Sequence, residues 1–296
     1  MALPADGRMD MADTVQIGNS ISVMISPAFV KQTIFMNLVV AETCSNASQT
    51  IKFRKSGSLI AESVSEGAVY IPSDANSDIN DTSVSVSAAK VAVLSTMSVE
   101  SMRFGGGAAN VPRVADEQGR AIARQFDAAA IALIDSVTNV ATATSTMDTD
   151  TLLTGQMNIE NANCPPGSLV AVMSPKQANE LRKLVANSGA AVYSSQYNSP
   201  LFGAPQANNF IGNLLGIDIY QTTGLTTTGA DTQGVIFNPL YAFAAAMGGA
   251  IDSHVYWTGA GVASQVPGFC WAVDSHMLFG LGIYNDTALC ELRSDT

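Results

Sequence analysis

Between Ala88 and Val137 the alternation of apolar and polar positions changes period, and the rest of the chain is arranged around that stretch. It opens with a β-branched run at Val91–Leu94, passes through Ser98–Phe104 and breaks at Gly105–Gly107. A helical period follows. Asn110 suits a cap and Pro112 suits the first turn, where a missing N–H costs nothing, so the pattern predicts a helix over 112–137. Val114, Ile122, Phe126, Leu133 and Val137 fall at whole-turn gaps with alanines between them. They form one stripe of roughly 36 Å at ~1.5 Å per residue. Asp116 and Arg120 are four apart, and Arg124 and Asp127 three apart, which places weak ion pairs on the solvent side. Phe126 then faces inward, and Asp127, about 100° further round the helix, faces solvent or Arg124. Strand-rich segments lie on both sides. The helix reads as a spine.

Ahead of the spine, residues 1–25 show no period and read as an arm. Ser26–Pro27 resembles a cap and first-turn proline opening a short helix to about Val40, with Val30, Ile34 and Leu38 on one side. From Gln49 to Ser87 the chain alternates and turns. Thr50–Arg54 puts Ile51 and Phe53 on one face and Lys52 and Arg54 on the other. The segments SLIAESV and AVYIP follow, then Pro72 and the polar tip SDANSDINDT, then SVSVSA. So long a β excursion has too few large apolar residues for a core of its own, and a two-stranded ribbon is marginal in water unless it lies on another surface. It reads as a reaching loop.

Beyond the spine, Thr138–Thr154 is polar and reads as weakly structured. Ser168–Met173 is a buried strand by length and composition, and it runs into Ser174–Pro175–Lys176–Gln177, a capping box with proline at the first helical position. Ala178, Leu181, Leu184 and Val185 form the apolar side of that helix, and Asn187–Ser188–Gly189 ends it. Leu214–Gln221 reads as one strand. The pieces GVIF, NPLYAFAAAMGGA, IDSHVYW, PGFCWAV, HMLFGLGIYN and ALCEL follow it. Gly280 and Gly282 interrupt a strand and are read as a bulge. Strands before and after the helices give an α+β protein whose C-terminus returns to the first sheet.

Composition narrows the use of this architecture. The chain has 296 residues, enough for one large or two ordinary domains. Only 13% of residues are charged, about half the usual share, and small neutral residues fill the difference. Such a surface suits a protein covered by neighbours, since burying Lys or Glu at contacts is costly. The net charge is −11 and the 14 basic residues are scattered. Holding nucleic acid requires clustered Lys and Arg, so dedicated DNA binding is not expected, while an acidic wall around DNA is allowed. The opening MALPADGRMDMADT has no apolar targeting core, and no run approaches the ~20 apolar residues of a membrane span.

Candidate chemistry is sparse. Cys44, Cys164, Cys270 and Cys290 share no metal-ligand or redox spacing and read as buried free thiols. Sequons at Asn46, Asn80 and Asn285 are expected by chance in a chain rich in Ser, Thr and Asn. His254 and His276 each sit in a strand and read as structural. No G-x-S-x-G or HExxH is present, and Gly105–Gly107 lacks the Lys-Ser/Thr of a phosphate loop, so it reads as a joint. Asp116, Glu117 and Asp127, with Arg113, Arg120 and Arg124 nearby, read as a solvated face. No catalytic, cofactor-binding or metal residue is assigned, and an enzyme is not expected.

The order of these parts resembles the major capsid proteins of tailed bacteriophages, the Hong Kong-type shell fold. The local phrases that fit are STMSVESM before the spine, VMSPKQANELRKL, LLGIDIY, and the closing SHMLFGLGIYN and ALCEL. No phrase is specific alone, and their order and spacing carry the likeness over nearly the whole chain. The resemblance implies an N-terminal arm (1–48), an extended β-hairpin loop (49–88) and a peripheral domain with the spine helix (89–187, helix 112–137). It further implies an axial domain (188–265) and C-terminal strands returning to the peripheral domain (266–296). It implies a subunit that self-assembles into hexamers and pentamers, an icosahedral capsid enclosing double-stranded DNA without sequence-specific binding. The location implied is the virion, with assembly in the host cytoplasm. The implied partners are further copies of itself, a portal and, for want of a long charged helical N-terminal region, a separate scaffolding protein. Decoration or cement proteins are left open. Some relatives cross-link a loop lysine to an asparagine; here Lys52, Lys55 and Asn285 occupy comparable places, although lysines on a loop face are usually just solvated.

Two other readings compete. Encapsulin nanocompartments share the fold, so the fold alone does not identify a virus. A secreted β-rich adhesin or surface-layer protein would show the same Ser/Thr/Asn bias and sequons. Against it stand the missing signal peptide and the long alanine-rich helix.

Overall fold

The computed structural model describes residues 11–45, 48–55, 63, 66, 82–98, 107–187, 209–225, 227–228, 231–258 and 270–295. The spine is helix α2, Gly107–Ile131. It starts before the expected cap, so Pro112 lies inside it, near an end where one lost hydrogen bond is tolerated. It stops short of Val137. Leu133 N–H bonds the Ala130 carbonyl, and a 3-10 turn, Ile134–Ser136, carries the chain on. The buried stripe is Ala115, Ile122, Ala123, Phe126 and Ala130. Ile122 and Phe126 are thus inside as expected, while Leu133 and Val137 pack from the segment beyond the helix.

Helix α1 spans Met11–Gln32, so much of the arm is helical and Ser26–Pro27 is not its start. The Ser26 hydroxyl bonds the Ser22 carbonyl instead. Ile21, Ile25 and Phe29, at four-residue spacing, are buried against α2, and the Phe29 and Phe126 rings meet edge-on at 5.9 Å. That packing outweighs the proline's tendency to open a new helix. At the closest approach, a side chain on Gly119 of α2 would meet the Ala28 Cβ at 2.8 Å.

Strands β1 (Val40–Thr43), β2 (Thr50–Lys55), β3 (Thr82–Ser87) and β4 (Ala89–Ser98) precede the spine. After it come β5 (Val140–Thr142), helix α3 (Thr149–Asn161), β6 (Leu169–Met173) and helix α4 (Pro175–Asn187). The chain then forms β7 (Phe210–Leu214), β8 (Ile217–Gln221), β9 (Thr227–Thr228), β10 (Asp231–Phe237), β11 (Phe243–Met247), β12 (Asp252–Thr258), β13 (Cys270–Ile283) and β14 (Leu289–Asp295). Where weak structure is expected after the spine, α3 stands. Asp148 caps it by accepting from Thr151 N–H at 2.8 Å, and Leu152 and Ile159, two turns apart, are buried. The expected single strand at Leu214–Gln221 is half of a hairpin, because Leu215 (φ 57°) and Gly216 (φ 83°) turn the chain between β7 and β8. The capping box forms as read: Gln177 N–H donates to Ser174 Oγ and Ser174 N–H to Gln177 Oε1.

Two larger sheets result among the described residues. In the first, β13 is central, with β4 along one part, β11 and β12 along others, and β1 parallel to β11. The second runs β5-β14-β10-β6-β8-β7, with β9 beside β10. Strand pairing crosses the expected limits in three places. Strands β11 and β12, expected in the axial part (188–265), pair with β13. Strand β6, with α4 after it, was expected in the peripheral part (89–187) but lies in the second sheet. Of the closing strands only β13 joins the first sheet, whereas β14 pairs with β10 over seven registered positions. The physical reason is apolar continuity: Leu289, Cys290 and Leu292 are fully buried in the second sheet's cores.

Candidate functional site

Among the described residues, strands β2 and β3 pair only with each other, as a two-stranded sheet. Its base is seated on the first sheet. Phe53 and Val86 are buried with Ala88, Ala244 and Ala246, and Tyr284 Oη donates to the Arg54 carbonyl at 2.8 Å. Gly280 and Gly282 make that seat. The register of β11 and β13 runs through both without a shift, so there is no bulge. A Cβ at Gly280 would instead strike the backbone carbonyl of Ser87, and one at Gly282 would meet the Val86 side chain at 2.9 Å. The glycines are there for close approach of a second layer. Apart from residues 63 and 66, the loop's middle (56–81), with nearly all of SLIAESV, AVYIP and the polar tip, lies outside the described residues. Lys52 is exposed, and Asn285 is engaged locally, its Oδ1 accepting from Thr287 Oγ1 at 2.9 Å.

Arm and spine are tied by polar groups as well as by packing. The Asp127 carboxylate, expected in solvent or on Arg124, accepts from the backbone N–H groups of Ile34 and Phe35, each at 3.2 Å. Its inward position follows from α1 covering that side of α2. Burial pushes its carboxyl up to about 6, against the two backbone hydrogen bonds, which pull it down. Asp116 and Arg120 do form the expected ion pair, at 2.7 Å on the surface. Gln118, fully inside, donates to Ser95 Oγ and the Val273 carbonyl and accepts from Ser275 Oγ, fixing α2 to β4 and β13. Nothing in a polar/apolar count flags Gln118; its position on the Ala115–Ile122 side of the helix is the only signal.

Several large apolar side chains have no cover among the described residues. Val23 is 73% exposed on α1, with Met24 and Val30 on the same helix; Leu153 and Met157 stand out on α3, and Leu94 and Tyr256 on the first sheet. Apolar positions spread over several elements suit a subunit whose neighbours complete its burial.

The candidate chemical residues fall into two places. Cys164 lies beside a hollow of about 330 Å³ lined by Ile159, Glu160, Pro165, Leu169 and Asn238. Burial raises its thiol, opposed by the Asn238 side chain, so the position disfavours a thiolate nucleophile. Cys44 and Cys164 are half-buried and Cys290 is buried, all free. The second place was not expected: β12 and β13 bring His254 and His276 together with Asp252.

A family model described as "Phage capsid protein" matches residues 81–278, which include the spine, most of the first sheet apart from β1 and the end of β13, and all of the second sheet but β14. No curated protein matches the chain. Solved structures of the same architecture include that of Mycobacterium phage Che8, 19% identical, covering 88% of this chain and 91% of that one at a TM-score of 0.61. A Gordonia phage Cozz structure is 15% identical, with 90% and 87% covered and a TM-score of 0.63. A virus-like particle from Pyrococcus furiosus is 12% identical, with 94% and 100% covered and a TM-score of 0.59. These likenesses establish the fold, and the family match carries the relationship.

Proposed function

The chain belongs to the phage capsid protein family and is a structural subunit of a capsid shell, and on that premise we propose that it assembles into hexameric and pentameric capsomers closing an icosahedral head around double-stranded DNA. The observation that carries the finer reading is the β2–β3 ribbon. It has a buried base at Phe53 and Val86 and, among the described residues, no third strand. A two-stranded ribbon is marginal on its own and is available to a neighbouring copy. The uncovered Val23, Met24 and Val30 on α1 support a second contact of this kind.

In this reading the first sheet with α1 and α2 forms the peripheral unit and the second sheet with α3 and α4 the axial unit. The role calls on no catalytic side chain and no cofactor. A net charge of −11 keeps packaged DNA from adhering to the wall, so DNA is enclosed and not gripped. A separate scaffolding protein and a portal complete the assembly in the host cytoplasm. The test is expression of the full chain, alone and with candidate scaffolding proteins, followed by size-exclusion chromatography and negative-stain microscopy. Closed shells, tubes or capsomers are expected. A monodisperse monomer under every condition overturns the reading.

A further inference from the structure

Strands β12 and β13 pair antiparallel with Asp252 opposite His276 and His254 opposite Asp274. Alternation sends the intervening Ser253, Ser275 and Met277 into the core, where they are buried. The other face therefore carries two imidazoles and two carboxylates on adjacent rungs. Three of these groups converge. His254 Nε2 is 3.3 Å and His276 Nε2 3.9 Å from the same Asp252 oxygen. The imidazole rings stack at 5.6 Å, and one donor atom from each of the three residues lies within 4.8 Å of the others.

From this geometry we infer that Asp252, His254 and His276 form a site for a divalent transition-metal ion of the zinc class. The donor set selects the class: two imidazoles and one carboxylate suit Zn²⁺ or Co²⁺, whereas Mg²⁺ and Ca²⁺ prefer oxygen throughout. The geometry is close to what such an ion needs. Tetrahedral ligands at ~2.1 Å stand roughly 3.4 Å apart, so the donors close by about 1 Å on binding. The side chains that must move are the free ones, since those of His254 and Asp252 are 61% and 59% exposed. His276 is the anchor, only 19% exposed, and its Nδ1 is buried with no hydrogen-bond partner among the described residues. Asp274 holds the register position across from His254, where a carboxylate can orient a ligating imidazole. Water, or a group from an adjoining subunit, fills the remaining coordination position. Bound there, the ion clips β12 to β13 beside the turn at Gly248–Ile251. The site is independent of whether shells close, because all three ligands come from one chain.

The test is titration of metal-free full-length subunit with Zn²⁺ by calorimetry, alongside visible spectra with Co²⁺. One ion per subunit is expected, with tetrahedral Co²⁺ bands and no sulfur-to-metal charge transfer, together with a rise in thermal midpoint on adding Zn²⁺. His254→Ala and Asp252→Asn, both at exposed positions that the fold does not need, should each weaken binding more than ~10-fold, the loss typical of even an outer-shell partner. Absence of uptake by the wild type overturns the inference. So does binding that persists unchanged in the two variants, or a Co²⁺ spectrum showing thiolate ligation, which would assign the metal to the cysteines.

Discussion

Asp127 holds Ile34: both of its carboxylate oxygens lie 3.2 Å from the Ile34 amide nitrogen, and one is also 3.2 Å from that of Phe35. Ile34 and Phe35 are 2% and 0% exposed, so these two N–H groups have little access to water. The spine thereby caps the turn that leads from the arm helix into β1. Removing the carboxylate leaves buried donors unpaired, at about 1–3 kcal/mol. Phe126, one residue before, is fully buried between Phe29 and Phe279, and its truncation costs about 3–5 kcal/mol. Urea unfolding of unassembled subunits should show both Asp127→Ala and Phe126→Ala destabilised, the second more. An Asp127→Ala variant equal to wild type would mean that the cap contributes nothing.

The same carboxylate gives stability a pH dependence of unusual sign. Its folded value, about 6, lies above the ordinary 3.8, so between the two the folded state binds more protons than the unfolded one. Stability then falls as pH rises through that window. This proton-linked part of the contribution of Asp127, separate from its hydrogen bonds, is fully present below about 3.8 and lost as pH rises through about 6, opposite to a salt-bridged carboxylate. Other groups titrate too, so the readout is the difference between wild type and Asp127→Asn across pH 4 to 7. That difference should shift towards the variant as pH rises, and a flat difference would show that the carboxyl titrates normally.

How much of this was legible in the sequence depends on what decides each feature. The spine, the β2–β3 ribbon and the Ser174–Gln177 capping box rest on period and local hydrogen bonding, which neighbouring residues specify. Helix α1 did not declare its start, because Ile21, Ile25 and Phe29 are helical only in company with α2, and Pro27 points the other way. Helix α3 was missed although Asp148, Leu152 and Ile159 form a cap and a two-turn apolar pair, since the Thr-rich surroundings mask them. The inward turn of Asp127 and the meeting of His254 with His276 depend on contacts between residues far apart in the chain, over 90 positions for Asp127 and Ile34. No local pattern encodes those.

The ribbon is expected to serve assembly more than folding. Its base belongs to the core through Phe53 and Val86, so a clean excision must spare both. Replacing residues 57–80 by a short turn should leave a soluble subunit with a thermal midpoint close to wild type. Under conditions in which the full chain forms particles, the variant should form none. Normal shells from the shortened chain would show that the segment makes no essential contact between subunits.

Gly280 tests how tightly the ribbon's base is seated. A methyl group there meets the Ser87 carbonyl and lies 3.3 Å from the Ala88 Cα, all backbone atoms that cannot rotate aside. At Gly282 the first obstacle is the Val86 Cγ2, the end of a side chain. Both glycines pair with alanines of β11, so their strand environments are alike and the difference lies in what crosses above them. Gly280→Ala should therefore cost about 1–3 kcal/mol, the range for overpacking, and Gly282→Ala less. Hydrogen exchange locates the damage. Amides of Thr50–Lys55 and Thr82–Ser87 should exchange faster in Gly280→Ala while those of the second sheet keep their protection, since β3 has to lift to admit the methyl group. If the two variants prove equally mild and the ribbon stays protected in both, backbone contact at Ser87 is not what seats it.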